Sequence, residues 1–161
     1  MEKELDIPES LRTARYIISK TRPYFVSLLW SLQFVGKTEK QGLTTMAVDK
    51  FGRLYYNPDE VAKWTPTKCV LGVLHELNHV LRHHLDRLRE HDGKFIIIGG
   101  QPCSLANVAQ DLEIHGGEMF RSDLTSFRQT LPDGWLTPSM FGFPDGKLSE
   151  EYAEMLLKDA K

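Results

Sequence analysis

The chain has 161 residues, of which 41% are hydrophobic and 26% charged, and its net charge is −2. This composition predicts one ordinary globular domain, residues 1–161, with enough chain for a hydrophobic core. There is no basic tract, so the charge pattern gives no support for a nucleic-acid partner. The longest apolar runs are far too short for a membrane span, which argues against a membrane protein.

The two cysteines, Cys69 and Cys103, are too few for a disulfide framework. The opening stretch MEKELDIPES lacks the apolar region of a secretory signal. Together these features predict a reducing, cytoplasmic setting.

The first half of the chain predicts two helices and a hairpin. Apolar spacing indicates one helix over residues 8–20 and a second from Thr21 to a stop at Gly36. From Leu43 the period changes, and LTTMAVD and RLYYN, joined by a turn at residues 49–52, predict a β-hairpin. The edge of such a strand pair could bind an extended peptide as an added strand. A strand that merely closes a small sheet is the simpler interpretation.

A short helix from Pro58 then leads to the stretch LGVLHELNHVLRHHLDRL, residues 71–88, which predicts a long helix. Thr65 is its candidate cap. Within it His75, Glu76 and His79 form an H-E-x-x-H pattern. On a helix the two histidines lie one turn apart, so both imidazoles can reach one cation while Glu76 stands beside it. The pattern predicts a zinc site, and the alternative is a row of polar residues on a solvated face.

The rotation of this helix separates a core face from a metal face. At ~100° per residue, with Val70 at zero, the apolar residues cluster within about 80° of zero. His75 and His79 fall near ~140° and ~180°, so the helix should lie between a core and an active-site cleft. His84 falls near ~320°, inside the apolar stripe, which favours a hydrogen-bonded core histidine over a catalytic one.

The second half predicts further helices around a long loop. KFIIIGG, residues 94–100, is either a buried strand or an apolar loop. SLANVAQDLEIH predicts a helix capped by Ser104 and stopped by the glycines at 116–117. Residues 119–147 predict a long ordered loop, and residues 149–158 a closing helix.

A third metal ligand must come from another helix. His83 lies ~12 Å along the helix axis from His75, too far for both rings to share one ion. On the NVAQDLEIH helix, Asp111 and His115 lie one turn apart on a polar stripe. Imidazole is the commoner zinc ligand, which favours His115, whereas a carboxylate in a partly buried stripe needs a partner, which favours Asp111. Spacing leaves both residues, or the two together, as ligands.

Two imidazoles and one further ligand would leave a fourth zinc position open for water, which is typical of a catalytic site. Zinc lowers the pKa of that water and polarises the scissile carbonyl, while Glu76 takes the proton as general base. The candidate hydrogen-bond donors to the oxyanion of the reaction are His115, His84, Tyr55 and Tyr56.

Several segments together resemble one known family over most of the chain: RLYYNPDEV, VLHELNHVLRHHLDR, NVAQD, LPDGWLTPSMFGFPDG and LSEEYAEML, in this order. They are similar to the metallopeptidase domain that usually precedes a von Willebrand factor A-like domain in bacterial and phage proteins. The chain departs from this pattern in KFIIIGGQPC, where a shorter link is expected, and at His115, where the family tends to have asparagine.

The resemblance implies an α+β, zincin-like fold, mainly helical, with a small β-hairpin or sheet beside the H-E-x-x-H helix. It implies that His75, His79 and Asp111 bind Zn²⁺ and that Glu76 is the catalytic acid and base. The expected function is zinc-dependent hydrolysis of peptide bonds in a peptide or protein substrate. The alternative is a metal-binding regulatory module without turnover that works with a von Willebrand factor A-like partner.

Overall fold

The structure, a computed structural model, describes residues 7–159. Residues 1–6, which begin the stretch without an apolar signal region, and residues 160–161 lie outside the described residues. The chain divides into two compact units, one ending at Leu81 and the other beginning at Arg82. A single domain over residues 1–161 stays a prediction.

The described part of the first unit contains four α-helices and a mixed three-stranded sheet. The helices are α1 (Glu9–Thr21), α2 (Val26–Ser31), α3 (Pro58–Val61) and α4 (Pro66–Leu81). The strands are β1 (Gln33–Gly36), β2 (Met46–Val48) and β3 (Arg53–Tyr56). Their order is β1-β3-β2, with β1 parallel and β2 antiparallel to β3. Helix α1 packs against α4, and the side chains of Leu11, Ala14 and Ile18 are fully buried.

The predicted hairpin is confirmed, because β2 and β3 pair antiparallel around the turn that follows Val48. The predicted second helix is wrong in its last part: α2 ends at Ser31, and the next residues form β1. Leu32 takes an extended conformation, with φ −76° and ψ 136°. The parallel pairing of β1 with β3 joins segments distant in sequence, and this pairing outweighs the helical spacing of the apolar residues.

The central helix begins as predicted and ends early. The Thr65 hydroxyl accepts a hydrogen bond from the Lys68 amide at 3.1 Å, which caps α4. The helix ends at Leu81, not near residue 88, and His83 has a positive φ of 56°. The axial distance predicted for His83 and the helical-wheel position predicted for His84 therefore do not apply.

In the second unit, the described residues form a hairpin and three α-helices. The hairpin strands are β4 (Phe95–Ile98) and β5 (Gln101–Ser104), and the helices are α5 (Leu105–His115), α6 (Glu118–Ser126) and α7 (Ser149–Asp159). Helix α5 packs against α7. The core of this unit is formed by Leu88, Leu105, Val108, Ala109, Leu112, Tyr152, Ala153 and Leu156.

Helices α5 and α7 confirm the predictions, including the Ser104 cap, whose hydroxyl accepts from the Asn107 amide. The long loop predicted over residues 119–147 is interrupted by α6 and by a 3₁₀ turn at Pro138–Phe141. Nor is KFIIIGG buried, since alternate residues of β4 are exposed. Helix α6 buries Phe120 completely, and this burial depends on contacts that the local composition did not reveal.

A buried carboxylate, Glu113 of α5, joins three segments of the second unit. It is 3% exposed and accepts hydrogen bonds from Arg82 Nη1 at 3.0 Å and Arg87 Nη2 at 3.0 Å. It also accepts from the Ser149 amide at 2.7 Å and lies 3.3 Å from His84 Nε2. The segment after α4 and the first turn of α7 are therefore both bound to α5.

These contacts also explain why α4 does not continue. The Arg82 carbonyl accepts from Arg87 Nη1 at 3.0 Å, and the His84 carbonyl accepts from Gln110 Nε2 at 2.7 Å. Side chains thus donate hydrogen bonds to carbonyls that would accept from backbone amides if the helix continued. His84 is 2% exposed and bonded to Glu113, which confirms its prediction as a core histidine.

The protein is α+β and mainly helical, as predicted. Among residues 7–159, no helix combines the length and the apolar character required to cross a membrane.

We expect Glu113→Gln to lower the free energy of unfolding at pH 7 by about 2–4 kcal/mol, because two guanidinium groups would lose their shared anion. Burial opposes ionisation of Glu113, but hydrogen bonds from His84, Ser149 and Arg87 outweigh it and hold the pKa well below its ordinary value of 4.5. The stabilisation is therefore complete above that value and is lost as the pH falls below it. Urea denaturation at pH 7 and pH 3 should show the difference between variant and wild type shrinking in acid.

The matched control is Glu150→Gln, which removes the other carboxylate on Arg87. Glu150 is 45% exposed, so its loss should cost less than about 1 kcal/mol. Equal effects of the two substitutions would show that Glu113 has no special role.

Candidate active site

The first unit brings the two predicted histidines of α4 together. His75 and His79 are both half-buried, and their Nε2 atoms lie 3.1 Å apart. The rings meet edge to face, with centroids 4.7 Å apart and planes at 79°. The spacing of one helical turn, predicted from the sequence, therefore points both nitrogens at the same small volume.

This separation suits a shared metal ion. Both nitrogens could bind one ion, because the 3.1 Å between them is less than twice a zinc–nitrogen bond of about 2.0–2.1 Å. Imidazole nitrogens are ordinary ligands of zinc. The chemistry of the donors therefore fits a metal of this class.

Glu76 follows His75 directly and is 7% exposed. Its neighbours Leu74 and Leu77 are fully buried, so the carboxylate lies on the inner part of an apolar helix. Removing a carboxylate from water costs free energy, and an apolar residue would avoid that cost. Glu76 is therefore a buried carboxylate directly beside the histidine pair of α4.

Helix α4 lies close to strand β2, one turn before the histidine pair. A Cβ placed on Gly72 would lie 3.2 Å from Met46 Sδ of β2 and 3.2 Å from Trp64 Cζ3. Glycine therefore permits a separation between helix and strand that a larger residue would increase. The strand edge predicted as a peptide-binding element thus packs on the helix that carries the histidines.

In the second unit, Asp111 is a half-buried residue of α5. The apolar residues of the same helix, Leu105, Val108, Ala109 and Leu112, are buried. The Ser104 cap and the end of the helix at Gly116 fix the register. Asp111 and His115 thus share one side of α5, four residues apart, as the polar stripe predicted.

His115 is held by a loop that the sequence did not connect with it. It is 5% exposed, and its Nδ1 donates to the Leu136 carbonyl. Its ring stacks on Trp135 at a centroid distance of 5.3 Å and an interplanar angle of 17°. Because Nδ1 carries the proton, the neutral ring has its lone pair on Nε2. No motif predicts the contribution of Trp135 and Leu136, which comes from stacking and from a backbone oxygen.

The other residues nominated as oxyanion donors have different surroundings. Tyr55 donates its hydroxyl proton to Asp49 Oδ2 at 2.8 Å, and this bond raises the pKa of the phenol. Tyr56 is buried in β3. His84 is bonded to Glu113. Of the residues predicted as oxyanion donors, His115 is the one on the same helix as a predicted metal ligand, Asp111.

A family model described as "Putative metallopeptidase domain" matches residues 6–126 of the chain. The match includes α4 with its histidine pair and α5 with Asp111 and His115. No curated protein and no solved structure matches the chain.

The contact at Gly72 gives a prediction about the first unit. Gly72→Leu should lower the free energy of unfolding by about 1–3 kcal/mol, because the larger side chain forces β2 and Trp64 away from α4. Urea denaturation measures the change. Gly72→Ala is the matched control and should be nearly neutral, since a gain of about 1 kcal/mol in helix propensity offsets the tight contact. A leucine variant as stable as wild type would contradict this packing.

Proposed function

The chain belongs to the "Putative metallopeptidase domain" family, and we propose that it is a zinc-dependent peptidase with Glu76 as its general base. The observation that carries the proposal is the histidine pair of α4, whose Nε2 atoms lie 3.1 Å apart beside a buried carboxylate. Family membership supports a metal-dependent peptidase, and the chemistry of these side chains supports zinc.

We infer that His75, His79 and Asp111 hold the metal. Their donor atoms are imidazole nitrogens and a carboxylate oxygen, which are ordinary zinc ligands. Two imidazoles and one carboxylate are a ligand set of catalytic zinc, which keeps a fourth position for the reaction. A purely structural site would normally close that position with another cysteine or histidine.

When bound, zinc supplies a Lewis acid that polarises the scissile carbonyl and makes water acidic enough to react near neutral pH. Glu76 accepts the proton of the attacking water and returns it to the leaving amine. His115, held through Nδ1 by the Leu136 carbonyl, donates from Nε2 to the oxyanion when the ring is protonated.

The substrate is an extended peptide that lies along the outer edge of β2. In the β2–β3 ladder the Asp49 amide bonds to the Arg53 carbonyl, and the Asn57 amide bonds to the Thr45 carbonyl. The alternation of an antiparallel pair then directs the backbone groups of Met46 and Val48 away from β3. These groups can pair with a substrate backbone beside α4.

The proposed ligands give a prediction about metal content. Purified protein should carry about one zinc per chain, and His75→Ala, His79→Ala and Asp111→Ala should each weaken zinc binding at least tenfold. His115→Ala should keep the metal and lose turnover. Elemental analysis and competition with a chelator measure these effects.

His83→Ala is the matched histidine control, because His83 is exposed and lies outside α4. If natively folded protein does not bind added zinc, the ligand assignment is wrong. If His115→Ala loses the metal while Asp111→Ala binds it normally, then the third ligand is His115.

The base assignment predicts that Glu76→Gln retains zinc and lowers peptide hydrolysis by at least ~10², since the amide cannot accept the proton. Turnover of a peptide library, with zinc content measured on the same samples, tests it. Glu90→Gln is the control, with an exposed carboxylate, and should remain active. Bound zinc without hydrolysis of any peptide by wild type would instead indicate a regulatory module that works with a von Willebrand factor A-like partner.

A further inference from the structure

The hairpin of the second unit has one face that nothing covers among the described residues. Strands β4 and β5 meet at a two-residue turn, Gly99–Gly100, with positive φ at both positions. Ile96 and Ile98 pack against the core of this unit. Phe95 and Ile97 point the other way and are 64% and 70% exposed. Such large exposed apolar side chains, side by side on a strand, are typical of an interaction surface.

The backbone of β4 is also available for pairing along its outer edge. The Leu105 amide bonds to the Lys94 carbonyl, which extends the ladder one step beyond the strands. By the alternation of an antiparallel pair, Ile96 and Ile98 bond to β5, whereas the amides and carbonyls of Phe95 and Ile97 point outward. In the part of the chain that the structure describes, β5 is the one element packed extensively along β4.

The other edge of the hairpin is blocked. Pro102 lies opposite Ile97 in the register, so its backbone faces away from β4. Proline has no amide proton, and the outer edge of β5 therefore lacks a donor at its centre. An added strand can pair with β4 and not with β5.

We propose that β4 pairs antiparallel with β4 of a second copy of this chain, which joins two hairpins into one four-stranded sheet. A two-fold axis at Ile96 places Phe95 of each copy opposite Ile97 of the other. The backbone groups of these two residues point outward, so the amides and carbonyls of one strand can pair with the carbonyls and amides of the other. The same axis puts each exposed phenyl ring beside an exposed isoleucine of the other copy.

Charge and area indicate how strong this dimer is. The strand sequence FIII carries no charge, and the two Lys94 residues would lie four positions apart, or ~13 Å. Like charges therefore do not oppose the pairing. The exposed side chains and strand edges bury on the order of 700 Å² in total, below the ~1,200 Å² of stable complexes. The dimer is weak and forms at about 0.1–1 mM protein.

Sedimentation equilibrium from about 10 µM to 1 mM tests the association, and hydrogen exchange locates it. The average mass should rise towards that of a dimer, and the Phe95 and Ile97 amides should exchange roughly two- to fivefold more slowly at the highest concentration, because a dissociation constant of about 0.1–1 mM leaves about a fifth to a half of the chains monomeric. A chain that stays monomeric to 1 mM, or a dimer in which these two amides gain no protection, would overturn the proposal.

Ile97→Lys should raise the dimer dissociation constant at least tenfold, since it removes apolar contact and brings two like charges to within ~7 Å. Phe51→Lys is the matched control: Phe51 is 71% exposed in the β2–β3 turn, and its lysine should leave the association unchanged. Equal weakening by both lysines would indicate general charge repulsion and count against the proposal. Circular dichroism checks the fold of each variant, and the exchange experiment on wild type decides the matter if one fails to fold.

Discussion

The second unit depends on one buried anion. Glu113 is placed between Asp111 and His115 in α5, and it holds the segment after α4 and the first turn of α7 through Arg82, Arg87 and the Ser149 amide. A carboxylate at 3% exposure is tolerated only because cations and amides surround it. The helix that carries two candidate functional residues is therefore fixed by electrostatics as well as by its apolar face.

The predictions that were confirmed concern features that depend on residues close together in the sequence. The placement of His75 and His79 one turn apart on a helix, the cap at Thr65, the β2–β3 hairpin and the helix that begins after Ser104 each depend on residues close together in the sequence. Periodicity and capping act over the same distance, which explains why they could be predicted. The mainly helical α+β class follows from these elements.

The predictions that failed concern contacts between distant segments. Strand β1 exists because Gln33–Gly36 pairs with β3, about twenty residues later in the chain. Helix α4 ends at Leu81 because carbonyls beyond it bind the side chains of Arg87 and Gln110. The same limit applies to the site. Local spacing identified Asp111 and His115 as candidate ligands, but the stacking of Trp135 on His115 could not be predicted from local periodicity.

The contact between His115 and the Leu136 carbonyl affects how this loop can be studied. The acceptor is a main-chain oxygen, so replacing the Leu136 side chain leaves the bond in place. Alanine scanning would accordingly pass over a group that orients the imidazole. A one-residue deletion or insertion beside Leu136 would reveal it by shifting the backbone, and natural variation in the length of this loop should be more restricted than variation in its side chains.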